Sequence, residues 1–207
     1  VCQDGGVVST ILLWGLKNRV WSQALVCGTN KKWAPYPFFA KEEHEIFSAA
    51  GSRYTFVPSL SIIDKNVNNS QMALVGLPCH INGMHLMKNL NIIKSGICKL
   101  SIGLFCSGTF SYNGLLEELI QKELKIPLEE IKKMNIKGSF SIELFSGEII
   151  EIPLKKLGPY RRKVCLKCND FAAINADISV GGLGLQGRSL IAIRTLEANK
   201  IIDDMRK

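Results

Sequence analysis

Two cysteines separated by two residues, Cys165 and Cys168, constrain this chain more than any other feature. They lie in Arg161-Arg162-Lys163-Val164-Cys165-Leu166-Lys167-Cys168-Asn169-Asp170-Phe171. A turn that short can aim both thiolates at one point, which is how metal and cluster sites are assembled. One such pair is only half a site. Cys79, in Gly76-Leu77-Pro78-Cys79, and Cys106, in Gly103-Leu104-Phe105-Cys106, each follow an apolar, strand-like run and are candidates for the other half. Structural zinc usually gathers two CxxC knuckles, so one pair plus two isolated cysteines favours an iron–sulfur cluster, with zinc left open.

The full chain has seven cysteines among 207 residues, an odd number that suits reduced thiols better than a paired secreted framework. Cys27 and Cys98 lie in apolar runs and read as packing residues. No apolar run approaches the roughly 18 residues that span a bilayer, and the start lacks the pattern of a signal peptide. A cytoplasmic location follows, with membrane association only through partner subunits. The chain opens at Val1 rather than Met, so a longer protein is expected. A net charge of +8 calls for an anionic partner. With no aromatic stacking platform or basic stripe, nucleic acid is not the expected one, and a zinc-stabilised basic binding module is the weaker alternative.

Apolar residues at helical spacing after Gly6 predict a helix ending near Lys17 and Arg19. A strand is expected over 24–28, then a loop rich in Lys, Trp and Pro, and a helix over 41–50 stopped by Gly51. Strands over 72–76 and 100–105 each run into a cysteine, and Cys79 opens a helix reaching about Leu90. Helices are expected over 113–125 and 128–134. Alternating apolar residues on both sides of Ser146-Gly147 then signal a hairpin. Strands over 177–180 and 190–193 bracket a glycine-rich loop, and a helix over 195–205 closes the chain. These elements make an α/β (mixed α+β) fold, a mixed sheet flanked by helices with a later hairpin and an iron–sulfur-binding C-terminal half. The expected division is an α/β part over 1–137 and a strand-rich part carrying the CxxC over 138–207, the first of which becomes the flavin-binding part under the family resemblance given below.

Gln3-Asp4-Gly5-Gly6 at a helix start leaves backbone N–H groups free for a phosphate, and serves equally as a cap and tight turn. Gly181-Gly182-Leu183-Gly184-Leu185-Gln186-Gly187 lets backbone approach a ligand, but lacks the strand, helix and acidic residue of a dinucleotide fingerprint. His44, His80 and His85 are the only histidines and read as structural, so no residue is assigned a catalytic role.

Six blocks occur in the order found in the coenzyme F420 hydrogenase/dehydrogenase beta-subunit family, which the chain resembles along essentially its whole length. They are Gln3-Asp4-Gly5-Gly6-Val7-Val8, Ala50-Gly51-Ser52-Arg53-Tyr54, Leu77-Pro78-Cys79, the CxxC block to Phe171, Ala176-Asp177-Ile178-Ser179, and Ile193-Arg194. The resemblance implies an iron–sulfur flavoprotein that exchanges a hydride between FAD and coenzyme F420 and passes single electrons to or from a 4Fe-4S cluster, beside other redox subunits of a complex. It implies cluster ligation by Cys79, Cys106, Cys165 and Cys168, the four that spacing selects. More loosely, it implies flavin contacts from Gln3, Asp4, Gly5, Gly6, Ser9, Gly51, Ser52, Arg53, Tyr54, Ser179 and Gly181. The chain departs from the family at His80, where glutamine is expected, and at Leu185-Gln186-Gly187-Arg188-Ser189, which replaces a longer loop. It also ends soon after Arg194, so a further C-terminal segment is expected. A ferredoxin-linked flavin and iron–sulfur oxidoreductase with another acceptor is the alternative function.

Overall fold

The computed structural model describes residues 5–63, 70–94, 96–185 and 187–207. Its centre is a six-stranded mixed sheet in the order β2-β1-β3-β4-β8-β9. β1 (Gln23–Thr29), β3 (Met72–Gly76), β4 (Cys98–Leu104) and β8 (Ile178–Gly181) run parallel, with β2 (Pro35–Ala40) and β9 (Leu190–Ile193) antiparallel at the two edges.

Strand alternation sorts the apolar residues onto the two faces. Ala24, Val26, Ala73, Leu100, Ile102, Ile178 and Val180 pack with α1 (Val7–Lys17), α2 (Glu43–Ser48) and α4 (Leu196–Met205). Leu25, Met72 and Leu74 turn the other way, against Ile81 and Met84 of α3 (Pro78–Asn89). The mixed, helix-flanked sheet is therefore the expected one. Asp177 locks β4 to β8: its carboxylate accepts from the Ser101 backbone N–H at 2.8 Å and from the Ser101 hydroxyl at 2.6 Å.

A second core lies under a three-stranded antiparallel sheet of β5 (Ile131–Lys137), β6 (Ser139–Leu144) and β7 (Ile149–Ile152). Position 137 falls at the end of β5, and β8, β9 and α4 return from beyond it to the large sheet and its helices. The hairpin at Ser146-Gly147 forms as its turn chemistry requires, with Gly147 at φ 91°.

Two local expectations give way, and a third element is wound differently. Residues 35–40 are a strand rather than loop, because β2 is an edge whose Pro35 and Pro37 need not donate to a further neighbour. Ile131–Lys137 is a strand rather than a helix. A register shift between Ile131 and Lys133 turns Ile131 and Met134 to the same buried side, and that spacing of three imitates a helix. Asn113–Glu123 is helical as expected but wound as a π-helix. Its inward residues fall in two adjacent pairs, Leu115 with Leu116 and Leu119 with Ile120, four residues apart, which suits the wider turn.

Candidate functional site: two cavities with a shared wall

The parallel strands end together, and a cavity of about 520 Å³ opens at their carboxyl ends, the usual ligand position in α/β sheets. Val26 and Cys27 of β1, Val75 and Gly76 of β3, Leu104 of β4, and Val180 and Gly181 of β8 form its floor. The first turn of α1 enters from one side. Gly6 caps that helix at φ 75° with no side-chain cap, and the first turn holds no acidic residue. Among the described residues no side chain caps this end, and the helix dipole favours an anion there.

The segment after α2 supplies the polar wall. Gly51, at φ 98°, turns the chain so that Ser52, Arg53 and Tyr54 line the cavity. Arg53 donates to the carbonyls of Ala50 at 3.2 Å and Ser48 at 3.4 Å, while its buried Nε has no partner. Among the described residues no carboxylate pairs with it. Burial pulls the guanidinium below the usual arginine range. An anionic ligand would relieve that cost.

Predicted contacts divide here. Gly6, Ser9, Gly51, Ser52, Arg53, Tyr54 and Gly181 line the cavity. Gly181 has to be glycine, because a Cβ there would stand 2.1 Å from the Phe105 ring. Gly5 lies outside the lining and its N–H donates to the Ser189 hydroxyl at 3.2 Å. Ser179 is fully buried below the floor, donating to the Ala173 carbonyl at 3.1 Å, and is not part of the lining. Gln3 and Asp4, like Cys2, lie outside the described residues.

Beyond one wall is a second cavity of about 380 Å³, and Cys79, Cys106, Cys165 and Cys168 all line it. Each arrives on a different kind of support. Cys79 sits in the first turn of α3, which Pro78 starts, and Cys106 follows β4, its N–H held by the Phe171 carbonyl at 2.9 Å. Cys165 lies within the 3-10 turn Lys163–Lys167 and Cys168 directly follows it. Arg161 ties two of these supports together by donating to the carbonyls of Ser107 and Cys165. Burial pushes the Cys79 and Cys106 thiols up, and each also feels Cys165 and Cys168.

Among the described residues no group of three or more His, Cys, Asp or Glu is placed to hold a single metal ion. A cubane cluster is broader than one ion and takes its four thiolates from further apart. Four thiols around one space match that donor set. Cys27 and Cys98 stand apart from it, each pushed up to about 11 by burial.

Leu77, Cys106, Ser107, Gly108, Thr109 and Phe171 line both cavities and form the wall between them. Phe105 and Phe171 meet at this wall, ring centroids 5.3 Å apart. Sequence reasoning misreads two residues of the large cavity. Cys27 reads as packing yet lies in its floor, and His80 reads as structural yet lines it. The position of His80 just after a strand end and beside Cys79 was the available signal.

An α/β protein with a ligand cavity at the strand ends and an adjoining pocket of four thiols is the class defined so far. The description of the coenzyme F420 hydrogenase/dehydrogenase beta subunit N-terminus matches residues 1–64, and that of its C-terminus matches 69–207. The chain therefore belongs to the coenzyme F420 hydrogenase/dehydrogenase beta-subunit family. An uncharacterised protein of Methanocaldococcus jannaschii is 32% identical over 98% of this chain and 78% of its own length. The coenzyme F420 hydrogenase subunit beta of Methanothermobacter thermautotrophicus is 30% identical over 98% of this chain and 74% of its own. A chain of the F420-reducing NiFe hydrogenase complex from Methanosarcina barkeri superposes with a TM-score of 0.91 at 28% identity, covering 98% of this chain and 72% of that one. Among the described residues no helix is long and apolar enough to cross a membrane.

Proposed function

We propose that this chain is the beta-type redox module of a larger oxidoreductase, with FAD in the large cavity, a 4Fe-4S cluster on Cys79, Cys106, Cys165 and Cys168, and coenzyme F420 as the hydride partner. The observation that carries the reading is the shared wall, which sets a ligand cavity and a four-thiol pocket side by side. When bound, a flavin takes up a hydride and a cluster takes up single electrons, so adjoining sites connect two-electron to one-electron chemistry.

The chain's own residues supply placement and charge. The α1 N-terminus and Arg53 would hold the anionic parts of FAD. Phe105 and Phe171 set two aromatic rings against one another at the wall between the cavities. The net charge of +8 draws in a coenzyme rich in carboxylates and phosphate. Family membership and relatives named as F420 hydrogenase subunits support the choice of coenzyme and a multi-subunit setting, with a cytoplasmic location.

The test is anaerobic purification with an absorption spectrum and assays for FAD, iron, sulfide and zinc. Oxidation of reduced coenzyme F420 with a viologen dye is then run beside NADH and NADPH. We expect one FAD, iron and sulfide in equal amounts, and turnover with coenzyme F420 only. Zinc in place of iron would remove the cluster. Faster turnover with a nicotinamide, or none with coenzyme F420 by fully loaded protein, would move the reading to a ferredoxin-linked acceptor.

A further inference from the structure

Cys79 and His80 are neighbours in the first turn of α3, and the helical step between them sends one side chain to each cavity. His80 is only 6% exposed. Its Nδ1 accepts the Leu77 backbone N–H at 3.2 Å, which caps the helix and leaves the proton of the neutral ring on Nε2. That Nε2 is buried and has no hydrogen-bond partner. The Val57 carbonyl lies near enough to favour a proton on the ring, yet makes no bond of hydrogen-bond geometry. On its other side the imidazole meets Phe56, ring centroids 5.6 Å apart, and Arg162 covers Phe56 at 3.9 Å. Among the described residues a buried donor is therefore left without a hydrogen bond at the edge of the larger of the two cavities, a costly arrangement unless a ligand completes it.

We propose that His80 Nε2–H donates a hydrogen bond to an acceptor on the flavin ring system, and thereby turns one edge of that ring toward the wall behind which Cys79 lies. The proposal rests on the flavin reading of the large cavity. The ring rather than the phosphates is the partner because the anion-seeking groups, the α1 N-terminus and Arg53, come from other segments. His80, in contrast, adjoins Leu77 and Cys79 at the wall through which electrons would pass. It is a positioning residue rather than a catalytic one.

Titrating the protein with FAD, and separately with riboflavin, tests this. His80→Leu should weaken both about tenfold, the effect of one lost hydrogen bond, and shift the long-wavelength flavin absorption band. His80→Gln, whose amide can still donate, should stay within about threefold of the parent. In the unmutated protein, nitrogen-15 NMR of the imidazole should show the Nε2-protonated form, with its proton moving downfield as FAD saturates. This readout does not depend on the Leu variant folding. An unmoved His80 proton at saturation, or unchanged affinity and spectrum in a folded His80→Leu, overturns the proposal. A loss for FAD with none for riboflavin assigns the donor to the phosphates and overturns it as well. Absence of FAD binding by the unmutated protein would instead sink the flavin reading on which it stands.

Discussion

The lining of the large cavity is drawn from the whole length of the fold, whereas its neighbour is lined by four cysteines and the residues around them. Strand ends, the capping turn at Gly6, the left-handed Gly51 and the close-packed Gly181 shape the first, and it draws on residues from Gly6 to Ser189. The second takes four cysteines and the residues beside them from three short stretches. A cavity built from so many segments owes its shape to the whole sheet, so single substitutions should change affinity by degrees. A pocket whose chemistry resides in four sulfurs should fail outright when one is removed, because each thiolate would supply one position on a cluster.

That contrast breaks most sharply at the cysteines. Cys165→Ala should reduce iron and sulfide to background, while Cys98→Ala and Cys27→Ala should retain them in full, as measured by colorimetric assay of anaerobically purified protein. Because Cys27 lies in the floor of the large cavity, its replacement should disturb bound flavin without touching iron. Iron lost equally in Cys27→Ala and Cys165→Ala would mean that the two cavities do not divide their cofactors as described.

A smaller effect is expected from Arg53, a cation in the lining of the large cavity. Arg53→Met should weaken FAD by roughly 10- to 100-fold, as befits a charge-assisted hydrogen bond worth about 1.5–3 kcal/mol. Arg53→Lys should recover part of this, and iron content should stay unchanged in both. The titration is best read at two salt concentrations. Attraction through a buried cation is screened less than attraction through surface charge, so the difference between Arg53 and Met should persist at high salt.

The same contrast explains what the sequence reveals. Cysteine chemistry is written in residue identity, so one CxxC and two strand-end cysteines identify the lining of the thiol pocket without any knowledge of the fold. The large sheet is legible for a related reason: apolar runs such as Met72-Ala73-Leu74-Val75 have few other uses. The residues of the large cavity are harder, because a cavity at strand ends depends on where those strands end in space. Ser9 and Arg53 are found through a resemblance, and His80 escapes because its exposure and its empty Nε2 are properties of packing. Ile131 and Met134 mislead for a purely local reason, since a bulged strand and a helix share their spacing.

The smallest effect sharpens the border of the large cavity at Ser179. Its strand neighbours Val180 and Gly181 line the cavity, but Ser179 faces the other way and gives its hydroxyl proton to the Ala173 carbonyl. Ala173 has a positive φ of 51°, an uncommon conformation for a side chain other than glycine, and it lies just after Phe171 of the shared wall. The hydroxyl therefore helps to hold a strained turn rather than a ligand. Ser179→Ala should cost about 1 kcal/mol of stability, the net contribution of one hydrogen bond, and lower Tm by roughly 2–4 °C for a chain of this size. FAD affinity and iron content should not change, because the cavity floor is set by the strands on either side. A tenfold loss of FAD affinity with Tm unmoved would place the hydroxyl against the ligand and shift the floor of the cavity by one residue along β8. If FAD and iron instead declined together with Tm, the turn at Ala173 would be what keeps Phe171 seated, and the two cavities would be coupled through their common wall.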